Sequence, residues 1–189
     1  MINLSPTSFV LLPAFAKISC EPGWKWQKRE KPLANYDIFY VWSGEGELSL
    51  NGKMYTLGKG SCFLFRKGDH TWATHNPQKP LVLTHLHFDA AEPVEDVPQP
   101  YRVLEDTFDF EHLLSKYVRL FLVKTFAAEV EAQLILKQLI IHLLRYDREE
   151  PIERKASNQL SESIREVANY ILQHPGEVHR VEDLGKRAG

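Results

Sequence analysis

The chain has little cysteine, little net charge and no long apolar run, and each shortage removes a class of protein. Cys20 and Cys62 are the only cysteines among 189 residues, and they lack CxxC spacing. That rules out a disulfide framework and points to reduced thiols in a cytoplasmic protein. The longest apolar stretches fall within 134–144, where Lys137, Gln138 and His142 interrupt them. A membrane-spanning helix needs ~18 uninterrupted apolar residues, so no membrane partner is expected. The N-terminus lacks the basic cap, apolar run and small-residue cleavage site of a secretory signal. Formal net charge is −2, unlike the basic surface of a protein that holds nucleic acid by itself. There is no G-x-S-x-G, P-loop or G-x-G-x-x-G, no internal repeat and no low-complexity tract. No catalytic residue and no cofactor follow from the sequence, and the chain reads as a non-enzyme.

Glycine, by contrast, is concentrated. Six of the ten glycines (Gly44, Gly46, Gly52, Gly58, Gly60 and Gly68) fall between 44 and 68. Between these turns lie short runs rich in β-branched and aromatic residues: YDIFYVW at 36–42, ELSL at 47–50, KMYTL at 53–57, SCFLF at 61–65, TWATH at 71–75 and LVLTHLHF at 81–88. Asn51-Gly52 is a strong hairpin signal, because both central positions of a type I′ turn need positive φ. Residues 24–88 are therefore expected to form a small barrel or double-sheet jelly roll. Gly44-Glu45-Gly46 reads as a turn between strands.

After Pro93, Pro98 and Pro100 the pattern becomes helical. One helix is expected over 109–121 and a longer one over about 126–147. The long helix is apolar on more than one side, through Val130, Leu134, Leu136, Leu139, Ile140, Ile141, Leu143 and Leu144. A monomer's surface helix needs one buried stripe. A second stripe implies a homodimer, with Leu136, Ile140 and Leu143 as the expected dimerisation residues. The segment DREEPIERKASNQ at 147–159 is charged, contains Pro151 and lacks periodicity, so it reads as a linker.

In the tail, Ile164, Val167, Ala168 and Ile171 recur at helical spacing. Pro175 and Gly176 stop that helix, and a second, short one starts near Val181 and runs through Leu184 and Ala188 to Gly189. Helix, break, short helix and glycine are the opening of a helix-turn-helix. From Leu160 to Gly189 four basic residues face five acidic ones, too few to hold phosphates.

The tail IREVANYILQHPGEVHRVEDLGKRAG resembles the first part of the DNA-binding domain of AraC-type transcription regulators. The stretch YDIFYVWSGEGELSLNGKMYTLGKGSCFLFRKGDH resembles the same family's strand, S-G-x-G turn, N-G hairpin, G-x-G turn and F-x-x-G segment, and LTHLHF at 83–88 its closing barrel strand. Two positions depart: Arg66-Lys67 stands where the family often has Pro-Pro, and Gly185 is the small residue central to the first helix of the helix-turn-helix. The resemblance implies a mainly β plus α fold, a cupin-like β-barrel or jelly roll followed by two helices and a partial helix-turn-helix. It divides the chain into an effector-binding barrel with an N-terminal arm (1–104), dimerisation helices (105–147), a linker (148–159) and an incomplete helix-turn-helix (160–189). It also implies a small-molecule effector (a sugar or similar) in the barrel, a homodimer, and DNA binding only in a full-length protein carrying the reading helix.

The expected ligand contacts are aromatic side chains with polar tips (Trp24, Trp26, Tyr36, Tyr40, Trp42 and Trp72), the histidines His70, His85 and His87, and Arg29. Tyr36, Ile38, Tyr40 and Trp42 alternate onto one strand face, and His85 and His87 share another. Two inward histidines can hold a metal. Metal-binding cupins, however, add an H-x-H and a Glu just before the first glycine turn. Here that stretch, KPLANYDIF at 31–39, has no histidine, and Asp37 is its one carboxylate. The expectation is therefore no metal, with the histidines bonding a ligand or filling the barrel end. The alternative is a small metal-dependent cupin enzyme using His70, His85 and His87.

Overall fold

The computed structural model describes residues 9–28, 31–90, 97–123, 126–149 and 151–188. The chain divides into two compact units, Met1–Asp147 and Arg148–Gly189. In the first, nine strands precede two helices: β1 (Phe9–Ser19), β2 (Lys25–Trp26), β3 (Tyr36–Ser43), β4 (Gly46–Leu50), β5 (Lys53–Leu57), β6 (Ser61–Phe65), β7 (Thr71–His75), β8 (Val82–Ala90), β9 (Tyr101–Val103), α1 (Phe108–Val123) and α2 (Ala128–Arg148). The strands form a five-stranded sheet in the order β1-β8-β3-β6-β9 and a four-stranded sheet in the order β2-β7-β4-β5. All pairings are antiparallel. The cupin-like jelly roll is thus two facing sheets rather than a closed barrel. Among the described residues no strand of one sheet pairs with a strand of the other.

The turns explain the spacing of the strands. Asn51 and Gly52 both have positive φ, at 51° and 84°, and close the β4–β5 hairpin with Leu50 opposite Lys53. Gly44 lies at φ 91°, and a Cβ there would meet the Pro80 carbonyl oxygen at 2.2 Å. A side chain at this turn is excluded twice, by backbone conformation and by the start of β8.

The five-stranded sheet is buried on both faces. Between the sheets, Phe39, Val41, Phe63 and Phe65 pack with Leu48, Leu50, Leu57 and Ala73 of the four-stranded sheet. On its other face, Ile38, Tyr40, Leu64, Leu86 and Phe88 pack with Phe110, Leu114 and Tyr117 of α1 and with Ile135, Leu136, Leu139, Ile140 and Leu143 of α2. The end of α2 is fixed by a fork. Arg102 Nε and Nη2 donate to Asp147 Oδ1 and Oδ2, both at 2.9 Å, and Asp147 Oδ2 also accepts the Gln99 amide at 2.6 Å. Both cysteines are free and buried. Burial pushes the Cys20 thiol up to about 11 and the Cys62 thiol up to about 12, so both stay protonated.

Two expectations for the helices are corrected. Leu136, Ile140 and Leu143 are buried within one chain, at 0%, 3% and 0% exposure, so they seat α2 on the sheet instead of facing a second copy. The exposed apolar positions of α2 are Val130 and Leu134, at 63% and 55%. In the second unit, the segment expected as an irregular linker is helical from Pro151. There α3 (Pro151–Gln173) is followed by α4 (Val181–Ala188). Proline suits a first helical turn, and the Glu, Arg, Lys and Ala that follow are good helix formers whose polarity hides any apolar stripe. The Pro175-Gly176 break between α3 and α4 stands as expected. Tyr170 Oη donates to Glu177 Oε2 at 3.2 Å across it, and the His174 and His179 rings lie against the Tyr170 ring. Leu160, Ile164, Ile171, Val178 and Val181 are exposed. Among the described residues no helix is long and apolar enough to cross a membrane.

Leu136→Glu would bury a charge beneath α2, costing about 4 kcal/mol or more. The expected outcome is loss of cooperative unfolding in a denaturant titration. A folded monomer with an unchanged midpoint would show that Leu136 faces outward.

Candidate functional site

A cavity of about 290 Å³ opens between the sheets, lined by Ile18, Trp24, Lys25, Trp26, Asp37, Phe39, Leu83, His85 and His87. Its floor is the β3–β8 pair, in which Asp37 stands opposite His87 and Phe39 opposite His85. Its rim comes from β2, which pairs with the edge of the four-stranded sheet through Trp26 opposite Ala73. The Trp26 ring lies 6.1 Å from Phe39 and 5.8 Å edge-on to Phe65. Trp24 meets the His75 ring at 5.8 Å, and His75 Nε2 lies 3.3 Å from the Pro22 carbonyl oxygen, to which it donates.

The polar wall is a connected set. Asp37 is fully buried. Its Oδ1 accepts the Leu86 amide at 2.9 Å, and its Oδ2 lies 3.5 Å from His87 Nε2. His87 Nδ1 lies 2.7 Å from Asn35 Oδ1, an acceptor, and so donates to it. His85 stacks edge-on against His87 at 5.6 Å, and its buried Nδ1 has no hydrogen-bond partner among the described residues. Burial holds the His85 imidazole below the usual histidine range; the Asp37 carboxylate opposes that shift and His87 adds to it.

Of the expected ligand contacts, Trp24, Trp26, His85 and His87 line this cavity. Five do not, and the reasons are physical. Tyr36, Tyr40 and Trp42 do share a face, but it is the helix-covered face of β3. There Tyr36 stacks on Phe88 at 5.4 Å, Tyr40 Oη donates to Glu111 Oε1 at 2.7 Å, and Trp42 Nε1 donates to Thr84 Oγ1 at 2.8 Å under the Lys17 ammonium. Trp72 stands on the opposite face of β7 from the buried Ala73 and His75. His70 is exposed, and its backbone is bound to Asn51, which locks the β4–β5 hairpin to the following turn. His70 is therefore not in one cluster with His85 and His87, as the metal-enzyme alternative required. Arg29 lies outside the described residues. Ile18, Lys25, Asp37, Phe39 and Leu83 were not anticipated as cavity residues. The signal available for three of them was register: Asp37 and Phe39 are the positions of β3 between the aromatic ones, and Leu83 is two before His85.

A family profile for the AraC-like ligand binding domain matches residues 15–156. The chain belongs to that family. No curated protein matches it. Solved structures similar to this AraC-like domain include a predicted oxalate decarboxylase from Thermotoga maritima, at 22% identity over 39% of this chain and 63% of that one, with a TM-score of 0.35. The cupin domain of Schizosaccharomyces pombe Cnp3 is similar at 20% identity over 44% and 64%, with a TM-score of 0.35. Escherichia coli YhaK is similar at 20% identity over 49% and 43%, with a TM-score of 0.36. The matched part spans less than two thirds of each of these structures.

Tyr40→Phe removes the hydroxyl that binds Glu111 and leaves the cavity wall intact. The expected cost is about 1–2 kcal/mol in a denaturant titration, with no change in the affinity of a ligand bound between the sheets. A fall in ligand affinity at unchanged stability would place Tyr40 on the cavity side.

Proposed function

We propose that this chain is the effector-sensing part of an AraC-type transcription regulator acting in the cytoplasm, and not an enzyme. The observation that carries this reading is the cavity between the sheets, set within the residues that match a ligand-binding family. Its volume sits at the small end of ligand sites, roughly 300–1,000 Å³. Two indole faces and a buried carboxylate with two imidazoles suit a small, hydroxyl-rich molecule such as a sugar. The indoles stack on the C–H faces, and the polar wall exchanges hydrogen bonds with the hydroxyls. Ligand bound there presses on β3 and β8, whose other face carries α1 and α2, and this coupling shifts the arrangement of the DNA-binding parts.

The reading includes a homodimer. The surface offered to a second copy is the apolar groove between β1 and α2, lined by Phe9, Val10, Leu11, Val130 and Leu134. It also includes DNA recognition, by a complete helix-turn-helix and not by α3 and α4 alone. The pair α3 and α4 has the form that opens a helix-turn-helix, and its exposed Ile164, Ile171 and Val181 suit packing against further helices.

Screening sugars, sugar acids and aromatic acids by thermal shift tests the effector role. A ligand at one hundred times its Kd stabilises the native state by about 2.7 kcal/mol. His85→Ala is expected to weaken a binder about tenfold or more, whereas His70→Ala is expected to leave it unchanged. A screen without any shift would remove the effector reading.

For assembly, the double variant Val130→Glu with Leu134→Glu is expected to stay folded and sediment as a monomer while the unmodified chain sediments as a dimer. In mobility-shift titrations at moderate salt, this chain is expected to show no sequence preference, and a version extended by a reading helix to show one. Specific retention of a DNA site by this chain alone would overturn that division.

A further inference from the structure

Asp37, His85 and His87 each offer one donor atom, and the three atoms lie within 4.8 Å of one another. We infer that they form a binding site for one divalent first-row transition ion, facing the cavity between the sheets. This donor set differs from the trio of histidines weighed from the sequence. It replaces the exposed His70 with a buried carboxylate, and all its members come from one strand pair.

Three observations point the same way. First, the position of His87 is fixed from behind. Nδ1 donates to Asn35 Oδ1 at 2.7 Å, so the neutral ring carries its lone pair on Nε2, and Nε2 faces Asp37 Oδ2 at 3.5 Å. An outer partner that holds a histidine in its ligating tautomer is the usual support of a metal ligand. Second, Asp37 is anchored through its other oxygen, which accepts the Leu86 amide at 2.9 Å. That bond turns Oδ2 toward the imidazoles. Third, the buried Nδ1 of His85 has no hydrogen-bond partner among the described residues, and coordination to a metal would satisfy its lone pair.

Two imidazoles and one carboxylate suit Zn²⁺, Co²⁺, Ni²⁺ or Fe²⁺ better than Mg²⁺ or Ca²⁺, which prefer oxygen. Ligands at about 2.0–2.2 Å around a tetrahedral ion stand roughly 3.4 Å apart, so the Asp37–His87 pair, at 3.5 Å, is already close to that spacing. Three protein ligands leave a coordination position open toward the cavity, where a water or an oxygen of a small molecule fits. The site stands independently of the effector reading, because it needs the metal alone.

The test uses the whole chain, stripped with a chelator, and Co²⁺ and Zn²⁺ as probes. Equilibrium dialysis is expected to retain one ion per chain, with visible Co²⁺ absorption bands. Zn²⁺ is expected to shift the side-chain ¹⁵N signals of His85 and His87 while leaving those of His70 unmoved. His85→Gln and His87→Gln are each expected to lower affinity about tenfold or more, and His70→Gln to leave it unchanged, with folding of every variant checked by circular dichroism. No retained ion would overturn the proposal. So would unchanged affinity in both cavity variants, or a His87 ring that stays a metal-free imidazolium paired with Asp37 throughout the titration. The histidine signals of the unmodified chain keep the test decisive if a variant fails to fold.

Discussion

The pairing of β3 with β8 is the constraint on which both the core and the cavity depend. Asp37 opposite His87 and Phe39 opposite His85 set which side chains point between the sheets. The same register sends Ile38, Tyr40, Leu86 and Phe88 to the helix side. Strand periodicity is two, so a slip of β3 by one residue would exchange its two faces. It would drive the Asp37 carboxylate under α1 and α2. The bond from the Leu86 amide to Asp37 Oδ1 opposes that slip from within. The carboxylate of the cavity is thus also a register pin, so its burial serves folding.

The strands were legible in the sequence because glycine turns bracket them. Lys53–Leu57, Ser61–Phe65 and Thr71–His75 fall where the apolar runs place them. Their inward faces were not legible. Both faces of the five-stranded sheet are covered, so β3 and β6 are buried almost throughout and carry no polar side to mark the outside. Polar-tipped aromatics drew attention to Tyr36, Tyr40 and Trp42, yet those tips serve Glu111, Thr84 and the helix packing. The cavity side of β3 is marked instead by the residues between them. Strand β1 was missed because Pro13 reads as a break; in the fold it falls at the register shift between Leu11 and Phe15, where a missing amide donor is tolerated.

The helical half shows the opposite error. The apolar stripe of α2 that was assigned to a second copy belongs to the sheet. Leu136, Ile140 and Leu143 follow one helical stripe, and that stripe goes to the sheet because Ile38, Leu64 and Leu86 already lack cover there. The weaker pair, Val130 and Leu134, is left outside, near Val10 of β1. In α3 the error came from treating periodicity as the sole helix signal. Propensity forms a helix from Pro151 onward without requiring any apolar face.

The polar wall of the cavity also restricts what can bind there. Asp37 is fully buried, and desolvation of an ionised carboxylate is costly unless opposite charge or donors compensate. The Leu86 amide supplies one donor, and His87 stands where an imidazolium would supply charge. His85 is pushed the other way, toward its neutral form, by the same burial. A second anion entering this space meets the Asp37 carboxylate, with Lys25 as the cationic residue of the lining among the described residues. A neutral polyol meets acceptors and donors without that repulsion. A bound divalent ion changes the balance, because it neutralises Asp37 and turns the wall toward carboxylate or enolate oxygens. The charge state of this one strand pair therefore decides which class of small molecule the cavity admits.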